Sequence, residues 1–149
     1  MNEALPDQLI RLLKAPNPAV MATVRSDGSP QTVATWYELE ADGRILLNLD
    51  ATRVRLAHLR RRPEVAMTVL DGDSWYRHVS LRLSVAEIAD DDGMQLIDRL
   101  AIRYLGVPYQ KRDQHRVNVW LTIDSWFGWD ATTFKDDGAA APMQLDESS

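Results

Sequence analysis

The sequence predicts a mainly β fold, a small antiparallel barrel of six or seven strands with few helices. Segments of alternating or β-branched residues recur along the chain, and turn signals such as Asp27-Gly28, Asp42-Gly43 and Asp71-Gly72 separate them. Helical spacing of apolar residues is confined to a few segments. The 149 residues, 45% of them hydrophobic, suit a single domain with one core.

The first third of the chain predicts a helix followed by three strands. Residues 5–14 are predicted as a helix because four leucines follow helical spacing, namely Leu5, Leu9, Leu12 and Leu13. Pro16 and Pro18 terminate it. Strands are predicted at residues 20–25, 32–39 and 45–49, and the short turns between them indicate a three-stranded meander.

The remaining elements alternate between strands and two further helices. A short helix begins near Thr52, a plausible N-cap, and stops at Pro63; a fourth strand covers residues 65–70. A long strand at residues 76–88 is expected to curve and close the barrel. Asp90-Asp91-Asp92 precedes a third helix that Gly106 ends, an arrangement typical of helix N-terminal electrostatics. One or two final strands cover residues 115–129.

Domain organisation and location follow from composition. Residues 1–134 are predicted as one domain, and residues 135–149 as a disordered C-terminal tail rich in Ala, Asp, Gly, Pro and Ser. The chain has no cysteine, no apolar run of membrane-spanning length and no signal-peptide pattern at its start. A cytoplasmic protein without membrane contact is expected. The net charge of −5 argues against a general nucleic-acid binder.

The short helix carries an unusual charge pattern. Arg53 and Arg55 occupy its first turn, where the helix dipole is positive and carboxylates are preferred. Two guanidinium groups beside free backbone N–H groups can bind a phosphate. Alternatively, Asp50 pairs with one arginine and both side chains are solvated. Nearby, Trp36 and Tyr37 could hold a flat ring, although such aromatics are more often structural.

Other classes of site have little support. The histidines, His58, His78 and His115, lack ligand spacing, so routine hydrogen bonds are expected and no metal site is predicted. Ser29, Ser74 and Ser80 lack the surroundings of a nucleophile. There is no glycine-rich phosphate loop. Five tryptophans in so short a chain suggest that a second subunit covers part of the surface.

Four segments together resemble the pyridoxamine 5'-phosphate oxidase-like family of flavin and deazaflavin binders, most closely its F420-using subgroup. They are Asp27-Gly28-Ser29-Pro30-Gln31 leading to Trp36, the helix from Arg53 to Pro63, Val79-Ser80-Leu81-Arg82, and the segment from Ile97 to Tyr109. The resemblance covers about residues 5–130. It implies a split β-barrel of the FMN-binding type and a homodimer with two sites at the subunit interface.

The resemblance also implies a cofactor site and an activity. Its residues would be Val33, Ala34, Thr35, Trp36, Asn48, Leu49, Thr52, Arg53, Arg55 and Trp75. Within this set, Arg53 and Arg55 would bind the phosphate, and Thr52 replaces a common glycine. The implied activity is hydride transfer from the deazaflavin F420 to a small unsaturated organic substrate. The alternatives are an FMN-dependent enzyme or a non-catalytic binder. No catalytic acid or base is identified.

Overall fold

A computed structural model describes residues 5–130 and 143–148 of the chain. Its elements are α1 (Asp7–Lys14), β1 (Ala19–Val24), β2 (Pro30–Thr35), β3 (Glu38–Leu39), β4 (Ile45–Asp50), α2 (Val54–Arg61), β5 (Glu64–Leu70), β6 (Arg77–Asp90), a 3-10 turn (Asp92–Met94), α3 (Gln95–Leu105), β7 (Arg116–Asp130) and β8 (Met143–Ser148). The predicted mainly β class is confirmed.

All strands belong to one antiparallel sheet with the order β2-β1-β5-β6-β7-β4-β3, and β8 pairs with β7. The sheet curls because β6 is long and irregular. Its register against β7 shifts between Arg82 and Leu83 and again between Val85 and Glu87. Such bulges bend a strand and increase its twist, so β6 turns the sheet into a half-barrel. The predicted split barrel is confirmed.

The core lies inside the curl. Alternate residues of β6, Val79, Leu81 and Leu83, are buried, as the period of two requires. Helix α1 inserts Leu9 and Leu13 into the same core, and both are fully buried. Within the described residues, no helix is both long enough and apolar enough to cross a membrane.

The predicted three-stranded meander is wrong. β1 pairs with β2 and β3 pairs with β4, but these hairpins lie at opposite edges of the sheet. The predicted strand at residues 32–39 breaks at Trp36 and Tyr37. Residues 36–37 form the crossing segment, which connects β2 at one edge of the sheet to β3 at the other. The fully buried Tyr37 anchors this segment near the end of α1, because its hydroxyl donates to the Ala15 carbonyl oxygen at 3.2 Å.

Part of the C-terminal tail that the sequence predicts as disordered is a strand in the structure. Residues 143–148 form β8, whose backbone pairs with the end of β7 in register with Trp126, Gly128 and Asp130. Ladder hydrogen bonds to a free strand edge need no apolar periodicity, so composition does not reveal them. The rest of the predicted tail, and the boundary at residue 134, lie outside the described residues.

Candidate functional site

A groove of about 610 Å³ opens where the two edges of the curled sheet approach each other. It lies between β2, the end of β4, the first turn of α2, α3 and the start of β7. Its lining includes Pro16, Pro18, Ala34, Thr35, Trp36, Asn48, Leu49, Asp50, Arg53, Arg55, Ile97, Tyr104, Tyr109 and Arg116. The lining therefore combines aromatic and apolar side chains with three arginines, and Tyr109 joins the two sets through its contact with Arg116.

The groove gathers seven of the ten residues in the predicted cofactor site. They are Ala34, Thr35, Trp36, Asn48, Leu49, Arg53 and Arg55. Three others do not line it. Val33 packs partly buried against the core, Thr52 is exposed in a turn, and Trp75 is 61% exposed in the β5–β6 connection. The Trp75 ring stacks on Tyr76 with the centroids 4.3 Å apart.

The start of α2 corrects the prediction for Thr52. The N-cap is Arg53, whose side chain makes no capping hydrogen bond. Thr52 instead donates from its backbone N–H and its hydroxyl to Asp50 Oδ1, at 2.9 and 2.7 Å. The aspartate forms a local turn with the residue two positions on, and this competes with capping. The first turn of α2 itself holds no acidic residue, and the carboxylate that lies near its arginines is that of Asp50.

The environment of the Arg55 guanidinium is the feature of the groove that most strongly indicates a ligand. Within the described residues, its Nη1 is the buried side-chain polar atom left without a hydrogen-bond partner. Burial lowers the pKa of Arg55 below its usual range, and the charges of Arg53 and Arg116 lower the pKa further. An unpaired buried cationic donor is costly unless an anion satisfies it. The residues present therefore fit a phosphorylated cofactor.

Arg116 was missed by the sequence reasoning. It is 9% exposed, and its Nε donates to Asn48 Oδ1 at 2.8 Å. Its Nη2 donates to the Asn48 carbonyl oxygen at 3.2 Å, and Nη1 donates to Gln114 Oε1 at 3.0 Å. Burial lowers the pKa of Arg116. No local pattern marks this residue, because β4 and β7 meet only through the long-range register that pairs Asn48 with Asn118.

Asn48 lines the groove, and its amide is engaged with protein groups. Its Nδ2 donates to Asp91 Oδ2 at 3.0 Å and to Asn118 Oδ1 at 2.6 Å. Asp91 also accepts from the N–H groups of Leu96 and Ile97 at the start of α3. This agrees with the helix role expected of the acidic triplet. The structure thus links the start of α3 to Arg116 through one buried asparagine.

Three aromatic side chains, Trp36, Tyr104 and Tyr109, form one wall of the groove. Trp36 stacks on Tyr104 with centroids 5.6 Å apart and planes 7° apart, and Tyr109 meets Trp36 edge-on at 6.4 Å. The Tyr104 hydroxyl donates to the Asn17 carbonyl oxygen at 2.8 Å, and burial raises the pKa of this phenol. Its proton is therefore retained near neutral pH. Asp98 holds the Tyr109 loop by accepting from the Tyr109 N–H at 3.0 Å.

The histidines have ordinary partners. His58 contacts Thr23 Oγ1 at 3.2 Å, His78 contacts the Trp75 carbonyl oxygen at 3.2 Å, and His115 contacts Asp90 at 2.8 Å. In the described part of the chain, no group of three or more His, Asp and Glu side chains could hold a metal ion. The aromatic side chains and arginines that line the groove suit a planar, anionic organic ligand.

Comparison with protein families matches residues 5–130 to the pyridoxamine 5'-phosphate oxidase model. The chain belongs to this family. The match confirms the resemblance inferred from the four segments and indicates a flavin- or F420-binding, oxidoreductase-like protein. No curated protein matches the sequence.

Solved structures support the same membership. An F420 reductase is 28% identical, with a TM-score of 0.75 over 82% of this chain and 98% of that one. A conserved hypothetical protein from Mycobacterium tuberculosis is 26% identical, with a TM-score of 0.64 over 85% of this chain and 86% of its own. A family-related FMN-binding protein from Nostoc punctiforme is 11% identical and shows the fold alone, with a TM-score of 0.66 over 98% of this chain and 100% of that one.

Proposed function

We propose that the protein is an F420-dependent oxidoreductase that reduces a small unsaturated organic substrate. The observation that carries the proposal is the buried Nη1 of Arg55 at the first turn of α2, which has no hydrogen-bond partner in the part of the chain that the structure describes. A ligand phosphate there would accept from this donor, from Arg53 and from free N–H groups of the helix. The similarity to an F420 reductase supports the choice of cofactor.

The groove would hold the cofactor along its length. The phosphate end would lie against Arg53 and Arg55, and the ring system would lie along Ala34 and Thr35 of β2, next to Trp36. A bound deazaflavin supplies hydride chemistry. The chain's own residues bind it, orient it and exclude water from one side.

FMN is the alternative ligand for the same groove. FMN carries a single phosphate monoester, whereas F420 carries a phosphodiester and a polyglutamate tail. The exposed Arg60, Arg61 and Arg62 extend the positive charge along α2 beyond the first turn. A tail with several carboxylates gains from such a surface, which is why we favour F420.

Fluorescence titration tests the assignment. We expect the protein to bind F420 more tightly than FMN, with an affinity that falls as salt is added. Arg55→Ala should weaken F420 binding about tenfold to hundredfold, because charge-assisted hydrogen bonds contribute about 1.5–3 kcal/mol. Arg61→Ala removes one of three exposed cations that would meet the tail and should weaken F420 binding much less. Arg11→Ala, which removes an exposed cation of α1 outside the groove, is the control and should leave the affinity unchanged. Tighter binding of FMN, or unchanged F420 affinity in Arg55→Ala, would overturn the assignment.

Turnover distinguishes an enzyme from a carrier. Reduced F420 mixed with a panel of enones and quinones should be reoxidised faster with the protein than without it. Binding without any such acceleration would leave a cofactor-binding protein that is not an oxidoreductase for these acceptors.

A further inference from the structure

We propose that Arg116 is a third anion-binding cation of the groove and that Asn48 is its positioning residue. Together they adapt the site to a ligand that places two negative charges near the first turn of α2. This inference rests on the proposed function, because it concerns the ligand of the same groove. It assigns a role to a pair of residues on two strands that no local sequence pattern connects.

The geometry of Arg116 supports a binding role. Its guanidinium lines the groove, packs 5.0 Å from the centre of the Tyr109 ring, and is held by Asn48 and Gln114. These contacts use one hydrogen each on Nε, Nη1 and Nη2. The two terminal nitrogens of an arginine each carry a second hydrogen. The group is thus fixed in place and keeps donors for a ligand.

The charges of the groove are unbalanced. Burial and the charges of Arg53 and Arg116 disfavour the protonated form of Arg55, and Asp50 is the carboxylate that lines the groove with these arginines. Asp91 does not line the groove, but it lies behind Asn48 and its negative charge also acts on Arg116. Among the charged side chains that line the groove, the surplus is two positive charges, which a ligand with two negative charges would balance.

Asn48 is suited to the positioning role because it contacts Arg116 through two different groups. Its side-chain oxygen accepts from Nε, and its backbone oxygen accepts from Nη2. The amide nitrogen is in turn fixed by Asp91 and Asn118, so the side chain cannot rotate without losing buried hydrogen bonds. The orientation of Arg116 is set by this network before any ligand arrives.

Two ligand chemistries supply two charges at this place. One is a phosphate monoester in its dianionic form, as in FMN. The other is a phosphodiester followed by a carboxylate, as in F420. Each has a matched neutral probe that lacks the anionic part, namely riboflavin for FMN and the tail-free deazaflavin core for F420.

The experiment measures the affinity ratio of each charged ligand to its neutral probe. We expect Arg116→Gln to lower this ratio about tenfold to hundredfold for the ligand that the site accepts, with binding of the neutral probe retained. Arg116→Lys, which keeps the charge without the planar fork, should give an intermediate ratio. Asn48→Ala should lower the ratio less than Arg116→Gln. Arg11→Gln, an exposed cation of α1 outside the groove, is the control and should leave the ratio unchanged.

Retention of the neutral probe shows that the groove is folded, so a structural defect is separated from a lost anion contact. An unchanged ratio in Arg116→Gln, or an equal loss of charged and neutral ligands, would overturn the inference while the proposed function stands. If the parent protein binds none of the four ligands, the proposed function fails, and the inference fails with it.

A pH series separates the two chemistries. The second pKa of a phosphate monoester is about 6, so the FMN-to-riboflavin ratio should rise between pH 5 and 7 in the parent and rise less in Arg116→Gln, which keeps only Arg53 and Arg55. A phosphodiester does not titrate there, and the F420 ratio should stay constant. The groups facing Arg116 are Arg53, Arg55, Asp50, Asp91 and Tyr109. The neutral probe cancels their own titration. A parent FMN ratio that is flat with pH, together with an F420 ratio near one, would contradict the two-charge site.

Discussion

At the residue scale, the arginine that would bind the cofactor is also a source of instability in the ligand-free chain. Arg55 is half-buried and its Nη1 lacks a partner among the described residues. Leaving a buried polar group unsatisfied costs about 1–3 kcal/mol. A site prepared for an anion therefore reduces the stability of the empty protein, as is common where function and folding compete.

Replacing Arg55 by an apolar residue of similar length should therefore stabilise the empty protein. We expect Arg55→Met to raise the free energy of unfolding by about 1 kcal/mol, because the side chain keeps its packing and loses the unpaired charge. Urea denaturation without ligand measures this. Ligand added to the parent should reverse the order of the two stabilities. A clear loss of stability in Arg55→Met without ligand would show that the guanidinium has a protein partner.

Individual residues also explain why the candidate site was only partly predictable from the sequence. Arg53 and Arg55 stood out in the sequence because cations in a first helical turn violate a local rule. Arg116 violates no local rule, and its contact with Asn48 depends on the pairing of strands 68 residues apart. Thr52 was assigned the wrong role because Asp50, two residues earlier, competes for its hydroxyl. The sequence reveals a residue that is unusual for its local position, whereas it does not reveal a contact that depends on which strands pair.

At the element scale, α3 fixes the end of α1. Arg103 on α3 donates to the carbonyl oxygens of Leu13, Lys14 and Ala15, the last of these at 2.7 Å. It also donates to the Tyr37 carbonyl oxygen at 3.1 Å. The final carbonyls of a helix have no partner within the helix, so a cation from another element satisfies them and complements the dipole. This one side chain joins two helices and the crossing segment beside the groove.

Loss of this contact should destabilise the fold. We expect Arg103→Ala to lower the free energy of unfolding by about 2–3 kcal/mol, because several half-buried carbonyls lose their donor. Arg99→Ala is the matched control on the same helix. Arg99 pairs with Glu38 and Glu40 on the surface, and exposed ion pairs contribute only about 0–1 kcal/mol. Equal effects of the two substitutions, measured by urea denaturation, would argue against a special role for Arg103.

The elements themselves were largely predictable, and their arrangement was not. The burial of Val79, Leu81 and Leu83 on one face of β6 follows from the alternation of the sequence. Gly106 ends α3 in the left-handed region at φ 79°, as its position indicated. The crossing at Tyr37 and the pairing of β8 depend on backbone partners elsewhere in the chain. Periodicity identifies a strand but does not choose its neighbour.

At the scale of the whole molecule, the outer surface of the sheet continues from the groove. Ala34, which lines the groove, pairs with Val20 across β2 and β1. Val20 pairs in turn with Thr68, and next to this row Ala22 pairs with Ala66. Directly paired residues share a face, so a surface of small side chains runs from the groove across three strands. A second molecule placed on this face would also cover one opening of the groove.

We therefore expect a homodimer that uses this face, with the groove completed at the interface. Light scattering at micromolar concentration should give about twice the chain mass of 16.9 kDa. Ala66→Arg should produce a monomer and weaken cofactor binding at least tenfold, because it puts a second long cation beside Arg82, its partner on β6, on the face that would pack against the second molecule. Ile102→Arg, which alters an exposed apolar residue of α3, is the control and should leave the mass and the affinity unchanged. A parent monomer that binds the cofactor with full affinity would contradict the interface, and a monomeric Ala66→Arg that binds normally would show that one chain forms the complete site.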